Sequence, residues 1–544
     1  MAKSKTRRVV VQPATYKNIQ RGIDQVVAAV RPTLGPLPRV TAIDRMFSDK
    51  VPEILDSGGL IARRVIQLPD PDEDMGAMFV RHMLWRLHEK VGDGTATAAV
   101  LFKSIYDQGV RYITAGGNAM QLRRYLEKGL ATILHELSEM AMPVEGGKEQ
   151  LAQIAESICY DPPLAKMLGE IFDIIGEYGQ LEIRSGRSRE LEREYVEGIY
   201  WKGGVFSRQM IKGRPQLRAE LENAAILISN KQIEDPRELL PVVKMALREG
   251  IRSLLIVAHQ VSDSTAAMLL SASKKAETFQ AIAAKLPGLT IADQIAAMED
   301  LAILTGGRPF AKTAGQTLNN VGPQDLGRAR RAWADRTYFG IVGGRGDPRQ
   351  LRAHIQNLRE AFGRENDPEA RKKLRERIGK LMGGSATLWV GGSAELEIDT
   401  RKEVAQRTSD ALRGAIMEGI LPGGGVALLA CRPTLQDMAD QSTDPDERAA
   451  YRILLRAMEE PIRTLLINAG YDDSEVMAEI KQAGPGYGFD IRSGQIAEMM
   501  EAGIFDVTSV QQEAVHSAIA SAALALTIDV LIHRKKPQES LTTG

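Results

Sequence analysis

Cysteine is nearly absent from this chain. Cys159 and Cys431 are the two in 544 residues, far apart and without a CxxC neighbour, so neither a disulfide framework nor a zinc site is supported. A reducing, cytoplasmic setting is the expectation. Net charge is absent as well, since 70 basic residues balance 70 acidic ones. A general nucleic-acid or anionic-membrane binder needs a basic surplus, so neither nucleic acid nor membrane is expected as a partner. No run reaches the roughly 18 apolar residues of a membrane helix, and Met1 to Val11 offers three consecutive valines where a signal peptide would have an apolar core. Familiar chemical signatures are missing too. There is no Gly-x4-Gly-Lys-Ser/Thr loop, no Gly-x-Gly-x-x-Gly opening a strand-turn-helix unit, no His-Glu-x-x-His and no Gly-x-Ser-x-Gly elbow, and the seven histidines form no cluster.

In their place the chain repeats one device, an aspartate or glycine turn at a helix start. It is clearest in Val91-Gly92-Asp93-Gly94-Thr95-Ala96-Thr97-Ala98-Ala99-Val100, where two glycines flank an aspartate, two threonines follow and an apolar-periodic segment begins at once. A helix N-terminus leaves N–H groups unpaired under a positive dipole end, and glycine allows close approach, so phosphate oxygens suit this turn. Asp93 would hold a magnesium ion, a hard cation that takes carboxylate oxygen. The plainer reading is a Gly-Asp-Gly turn with Thr95 as an N-cap.

At 544 residues two or three domains are expected. Helical spacing marks Thr15 to Arg31, Met75 to Lys90, the Thr95 segment and Asn118 to Met140, with short strands at Val9–Val11 and Val40–Asp44. From Pro143 the texture changes. Strand candidates Leu181–Arg184, Ala224–Ser229, Ser253–Ala258 and Thr337–Val342, with a helix at Pro236 to Glu249, give the rhythm of an α/β layer. Pro348 to Leu381 reads as a charged helical hairpin turning at Asn366-Asp367-Pro368, and Ala386–Val390 as one more strand. A helix is expected to begin at Ser409-Asp410, a glycine hinge at Gly423 to Gly425 leads into another, and Gly484 to Asp506 is a turn-rich insert. Helical ends thus enclose an α/β middle, with hinge-like boundaries near Gly198 and Gly383.

Six blocks carry a resemblance: Thr33-Leu34-Gly35-Pro36, Val91-Gly92-Asp93-Gly94-Thr95, Gly116-Gly117-Asn118-Ala119-Met120, Leu304-Thr305-Gly306-Gly307, Asp410-Ala411-Leu412 and Gly423-Gly424-Gly425-Val426-Ala427-Leu428. In order and spacing, from about Thr15 to Ile532, the chain resembles the group I chaperonins of the GroEL type. The resemblance implies a multi-domain α and α/β chaperonin fold. Residues 1–140 and 418–544 would form an equatorial ATP-binding domain, 141–197 and 385–417 an intermediate hinge domain, and 198–384 an inserted apical domain. It further implies a homo-oligomer of two rings of seven, a GroES-type co-chaperonin, non-native polypeptides as clients, and folding driven by ATP with Mg2+.

Carried over by position, Thr33, Leu34, Gly35 and Pro36 would border the nucleotide, Asp93 would ligate magnesium, and Gly94, Thr95, Ala96 and Thr97 would cradle phosphates. Asp410 would orient the attacking water and Asp56 would be the second catalytic carboxylate. Gly424, Asp490, Ile491, Ile504 and Asp506 would form the purine and ribose pocket. Val205, Met210, Leu240, Val243 and Leu270 would bind clients, with Gln209 where the family has an aromatic, and Asp161 with Arg407 would tie down the intermediate domain. Read from periodicity alone, those five apolar residues are core. The chain departs from the family at Leu55, where a lysine is usual, at an extra residue in Asp56 to Gly59, at Ala96 for threonine, at Asp490 for asparagine, and in its polar tail Arg534 to Gly544. These departures motivate an alternative, a chaperonin-like ring or assembly protein with weak or lost ATP hydrolysis.

Overall fold

The computed structural model describes residues 9–36, 39–44, 52–65, 67–186, 188–195, 198–211, 218–275, 279–311, 317–382 and 385–533. The expected boundary at Gly383-Gly384 and the tail Arg534 to Gly544 lie outside them. The chain forms two compact units, one from Met1–Asp173 with Gly392–Gly544, the other from Ile174–Gly391.

The first unit is helical and joins both chain ends. Strand Val9–Val11 pairs antiparallel with Val530–Ile532, and the Thr15 hydroxyl ties them by donating to the Val10 and Asp529 carbonyls at 3.1 Å each. Helix Ala14–Val30 buries Ile19, Ile23, Val26, Val27 and Val30 on one stripe, the spacing that defines an amphipathic helix. Helix Pro71–Val91 starts under an Asp70 cap, whose carboxylate accepts the Asp72 N–H at 2.8 Å, and stops at left-handed Gly92. Thr95–Thr114 and Ala119–Glu139 follow, and Thr508–Ala525 packs against both. That last helix is buried along Ala514, Val515, Ala518, Ile519, Ala522 and Ala523, whose four alanines let its neighbours come close.

The second unit holds an eight-stranded mixed sheet. Its parallel heart is Gln280–Lys285, Ser253–Ala258 and Ala225–Ser229, and the last two are buried at every position, as strands covered on both faces must be. Gly327–Ala334, Tyr338–Gly344 and Ile199–Lys202 continue it antiparallel. A three-stranded sheet pairs Ser385–Val390 with Gln180–Ser185 and Glu192–Tyr195. Helices Pro348–Arg364 and Pro368–Met382 form the expected hairpin around Leu358, Ile378 and Leu381.

One expectation fails. No helix begins at Ser409-Asp410: helix Glu395–Glu418 runs through them for 24 residues. Nothing between Glu395 and Asp410 breaks a helix, and the hydroxyls of Thr408 and Ser409 find partners inside it. The Thr408 hydroxyl donates to the Val404 carbonyl at 2.8 Å, and Ser409 accepts from Arg413 at 3.0 Å.

Candidate functional site

The unit made of both chain ends contains a cavity of about 520 Å³. One end of its wall is a set of backbone turns. Gly92 (φ 77°) closes helix Pro71–Val91 by donating to the His88 carbonyl at 2.9 Å, and Gly94 (φ 77°) is the N-cap of Thr95–Thr114. Both lie in the left-handed region where a Cβ is strained, and one added at Gly94 would sit 2.9 Å from the Val510 Cγ1. Gly94 has no side chain, so the first-turn N–H groups at Thr95, Ala96 and Thr97 reach the cavity wall uncapped. The N-cap is therefore Gly94 and not Thr95. Asp93 lines the same wall and forms no hydrogen bond or ion pair with any described residue.

Facing this turn is the loop Thr33, Leu34, Gly35 and Pro36, also on the wall. It is held from outside: the Asn468 side-chain amide donates to the carbonyls of Arg31 and Leu34 at 2.9 Å each, and the Thr33 hydroxyl donates back to Val30 at 2.8 Å.

The other end comes from the C-terminal segments. Strand Ile420–Pro422 pairs antiparallel with Phe505–Val507, Leu421 opposite Asp506, which sets Gly424 beside Ile504 and Asp506 on the wall. The Gln511 amide donates to the Asp506 carboxylate at 2.7 Å. Burial pushes the Asp506 carboxyl up to about 6 and the charge on Asp93 adds to this, against the lowering pull of the Gln511 and Gly425 hydrogen bonds. Hairpin Tyr487–Asp490 with Gln495–Glu498 supplies Asp490 and Ile491, and Asp490 caps its own turn by accepting the Arg492 N–H at 2.9 Å.

Every residue expected to contact nucleotide thus lines one cavity, Asp56 included. Asp410 does not line it. Its carboxylate accepts from Gln406 at 2.9 Å and from Arg413 at 3.2 Å, one helical turn beyond Arg407, which does line it.

The expected Asp161–Arg407 pair is not formed. Asp161 takes both hydrogen bonds of the Arg401 guanidinium, at 2.7 and 3.0 Å, while Arg407 holds Asp56 at 2.9 and 3.3 Å. Six residues on an α-helix separate two side chains by about 120°, so Arg401 and Arg407 face different neighbours. Burial pulls the Arg407 pKa down, but the Asp56 carboxylate outweighs it and holds the guanidinium above its ordinary value. Burial, then the Arg407 charge, hold His88 below the usual histidine range.

Leu55 ends strand Glu53–Leu55 and is buried in the main core, and it does not line the cavity. Several wall residues went unread in the sequence. Gln153, Glu156 and Ser157, with Tyr160 at the C-cap, lie at helical spacing away from Leu151, Ile154 and Ala155, so a polar stripe on helix Gly147–Cys159 was the available signal.

The sequence model of the TCP-1/cpn60 chaperonin family matches residues 26–536. The chain belongs to this family. Its fold is shared by the chaperonin gp146 from bacteriophage EL 2 (Pseudomonas aeruginosa), crystallised in the presence of ATP-BeFx. Crystal form I superimposes at a TM-score of 0.73 with 18% identity, covering 98% of this chain and 100% of that one. Crystal form II does so at 0.65 with 20% identity and the same coverage, 98% and 100%.

In the inserted unit of this chaperonin the expected client-binding residues divide. Val205, Met210 and Val243 are 8%, 3% and 3% exposed and belong to the core of the α/β layer, so they form no surface here. Leu240 is exposed and Leu270 half-buried. On helix Leu240–Arg248 the outward apolar neighbour of Leu240 is Leu247, seven residues on and therefore on the same face. Among the described residues no helix is long and apolar enough to cross a membrane.

Proposed function

We propose that this chaperonin is an ATP-dependent molecular chaperone that encloses non-native polypeptides in a ring-shaped cavity and hydrolyses ATP to drive the cycle. The supporting observation is the convergence of the expected nucleotide positions, from Thr33 to Asp506, on one cavity of the helical unit.

Phosphoryl transfer asks a protein mainly to position groups and stabilise charge. The uncapped N–H groups at Thr95 to Thr97 cradle phosphate oxygens, and the loop Thr33 to Pro36 closes the opposite side. The open carboxylate of Asp93 fits a magnesium ion, which when bound supplies charge neutralisation on the phosphates. Asp506 accepts a ribose hydroxyl, and Gly424 leaves space for the purine between Ile491 and Ile504. A water attacks the γ-phosphorus as its bond to the β,γ-bridging oxygen breaks, ADP leaving with the electron pair. Asp410 orients that water and takes its proton, and Asp56 supports it. Asp410 lies off the wall, so this step requires helix Glu395–Glu418 to shift toward the cavity. A ring that only assembled would have no use for Asp56 and Asp93 on the cavity wall with Asp410 three residues beyond the wall residue Arg407, so working hydrolysis is preferred to the assembly-protein reading.

The assembly belongs to the same proposal: equatorial, intermediate and apical domains divided near residues 140, 198, 384 and 418, two rings of seven, and a GroES-type lid. Clients would dock on exposed apolar residues of the inserted unit, Leu240 with Leu247 and the half-buried Leu270, because burial of apolar area is non-directional and accepts many sequences. The test is refolding of a chemically denatured enzyme diluted into the purified chaperonin. Recovery of activity that needs MgATP, with aggregation suppressed before ATP is added, is the expected result. Equal recovery without nucleotide would overturn the reading.

A further inference from the structure

The cavity wall is rich in carboxylates, with Asp56, Asp93, Asp490 and Asp506 all on it, and a triphosphate brings more negative charge. Two cations among the described residues line it, Arg407 and Arg492. Arg492 is committed at the far end, where it donates to Glu156 at 2.9 Å and lies over the Tyr160 ring. Leu55, beside Asp56 in sequence, is sealed in the core. At the phosphate end the charge balance falls to Arg407 alone.

We infer that Arg407 is the γ-phosphate ligand of this chaperonin, its guanidinium passing from Asp56 to the terminal phosphate when ATP binds; the inference rests on the nucleotide reading of the cavity. Four observations carry it. The Arg407 side chain is 12% exposed and lines the cavity, so it is already desolvated and aimed at the site. Its described hydrogen-bond partner is Asp56, itself on the wall, and the Asp56 carboxylate holds the place of an anion with the geometry that a phosphate would use. A guanidinium fork binds carboxylate and phosphate alike, and the more highly charged oxygens win it. The Arg407 backbone lies beside the phosphate turn, since a Cβ on Gly92 would lie 3.2 Å from the Arg407 carbonyl oxygen. Arg407 also precedes Asp410 by three residues on one helix, so the phosphate that attracts Arg407 draws Asp410 toward the reacting atoms. The guanidinium that pairs with Asp56 in the absence of ATP becomes, with ATP, a contact to the terminal phosphate.

The experiment compares binding of MgADP and of a non-hydrolysable MgATP analogue to the assembled wild-type protein and to Arg407→Ala, Arg407→Lys and Asp56→Asn. The γ-phosphate is the difference between the two ligands. Arg407→Ala should weaken the triphosphate about 10- to 100-fold, the range of a charge-assisted hydrogen-bond pair, and leave ADP within about threefold. Arg407→Lys should recover part of the loss, as it keeps the charge without the fork. Asp56→Asn should tighten the triphosphate, because the guanidinium is no longer held. Equal losses for both nucleotides, no loss for either, or weaker triphosphate binding in Asp56→Asn would overturn the inference. Retained ADP binding shows that each variant is folded. Wild-type protein that binds neither nucleotide would instead bring down the reading of the cavity itself.

Discussion

The cavity of the helical unit is a site made by backbone, whereas the client surface expected on the inserted unit is a site made by exposure. Gly92, Gly94, the loop Thr33 to Pro36 and the strand pair at Leu421 and Asp506 place their groups by turn geometry and register, which only certain residues permit. A valine or methionine carries no mark of which way it faces, and Val205, Met210 and Val243, assigned to a surface by position, are core. The expected turn residues meet on one cavity wall, whereas three of the five expected surface residues are buried.

That contrast is open to direct tests. The largest effect is expected from Val243→Asp, which puts a charge at a position 3% exposed and should cost about 3 to 5 kcal/mol in denaturant unfolding of the inserted unit. A cost under about 0.5 kcal/mol would return Val243 to the surface. Next is Gly94→Val, a β-branched residue at φ 77° against Val510, expected to cost about 2 to 3 kcal/mol and to abolish nucleotide binding. Binding that survives would mean that the turn does not hold phosphate.

Asp506→Asn is a smaller, pH-dependent probe. The folded carboxyl titrates near 6, above its unfolded value, so its stabilising contribution is full below about pH 4 and is lost as the pH rises through 6. The amide should therefore stabilise the nucleotide-free protein at pH 8 by about 1 to 2 kcal/mol, a figure reduced because the group opens onto the cavity, and by nothing below pH 4. A gain of the same size at both pH values would mean that ionisation is not its source. The smallest stability change is expected from Leu240→Asp, within about 0.5 kcal/mol, together with weaker capture of unfolded protein. Unchanged capture would move the client surface elsewhere.

Much of this was legible in the sequence, and the failures have physical causes. Ala225–Ser229 and Ser253–Ala258 announced themselves as uninterrupted apolar runs, and Asp367-Pro368 marked the hairpin turn because proline cannot continue a helix. Asp410 was misplaced at a helix start because Ser-Asp resembles a cap. The deciding information was the lack of any breaker upstream, back to Glu395. The partners of Arg401 and Arg407 depend on helix phase within those 24 residues, which cannot be set until the helix start is known. The polar stripe Gln153, Glu156, Ser157 and Tyr160 was visible as periodicity, but only the folded unit shows that it lines a cavity.

The most direct test of the whole account is steady-state ATP hydrolysis by the purified protein beside its Asp410→Ala variant, with nucleotide affinity measured on both. The account predicts that the parent turns over MgATP and that the variant binds it with similar affinity while hydrolysing it about 10² to 10⁴ times more slowly, the range for loss of a positioned base. A parent as slow as the variant would contradict it: the cavity would then hold nucleotide without a working cycle, and the ring would be an assembly protein.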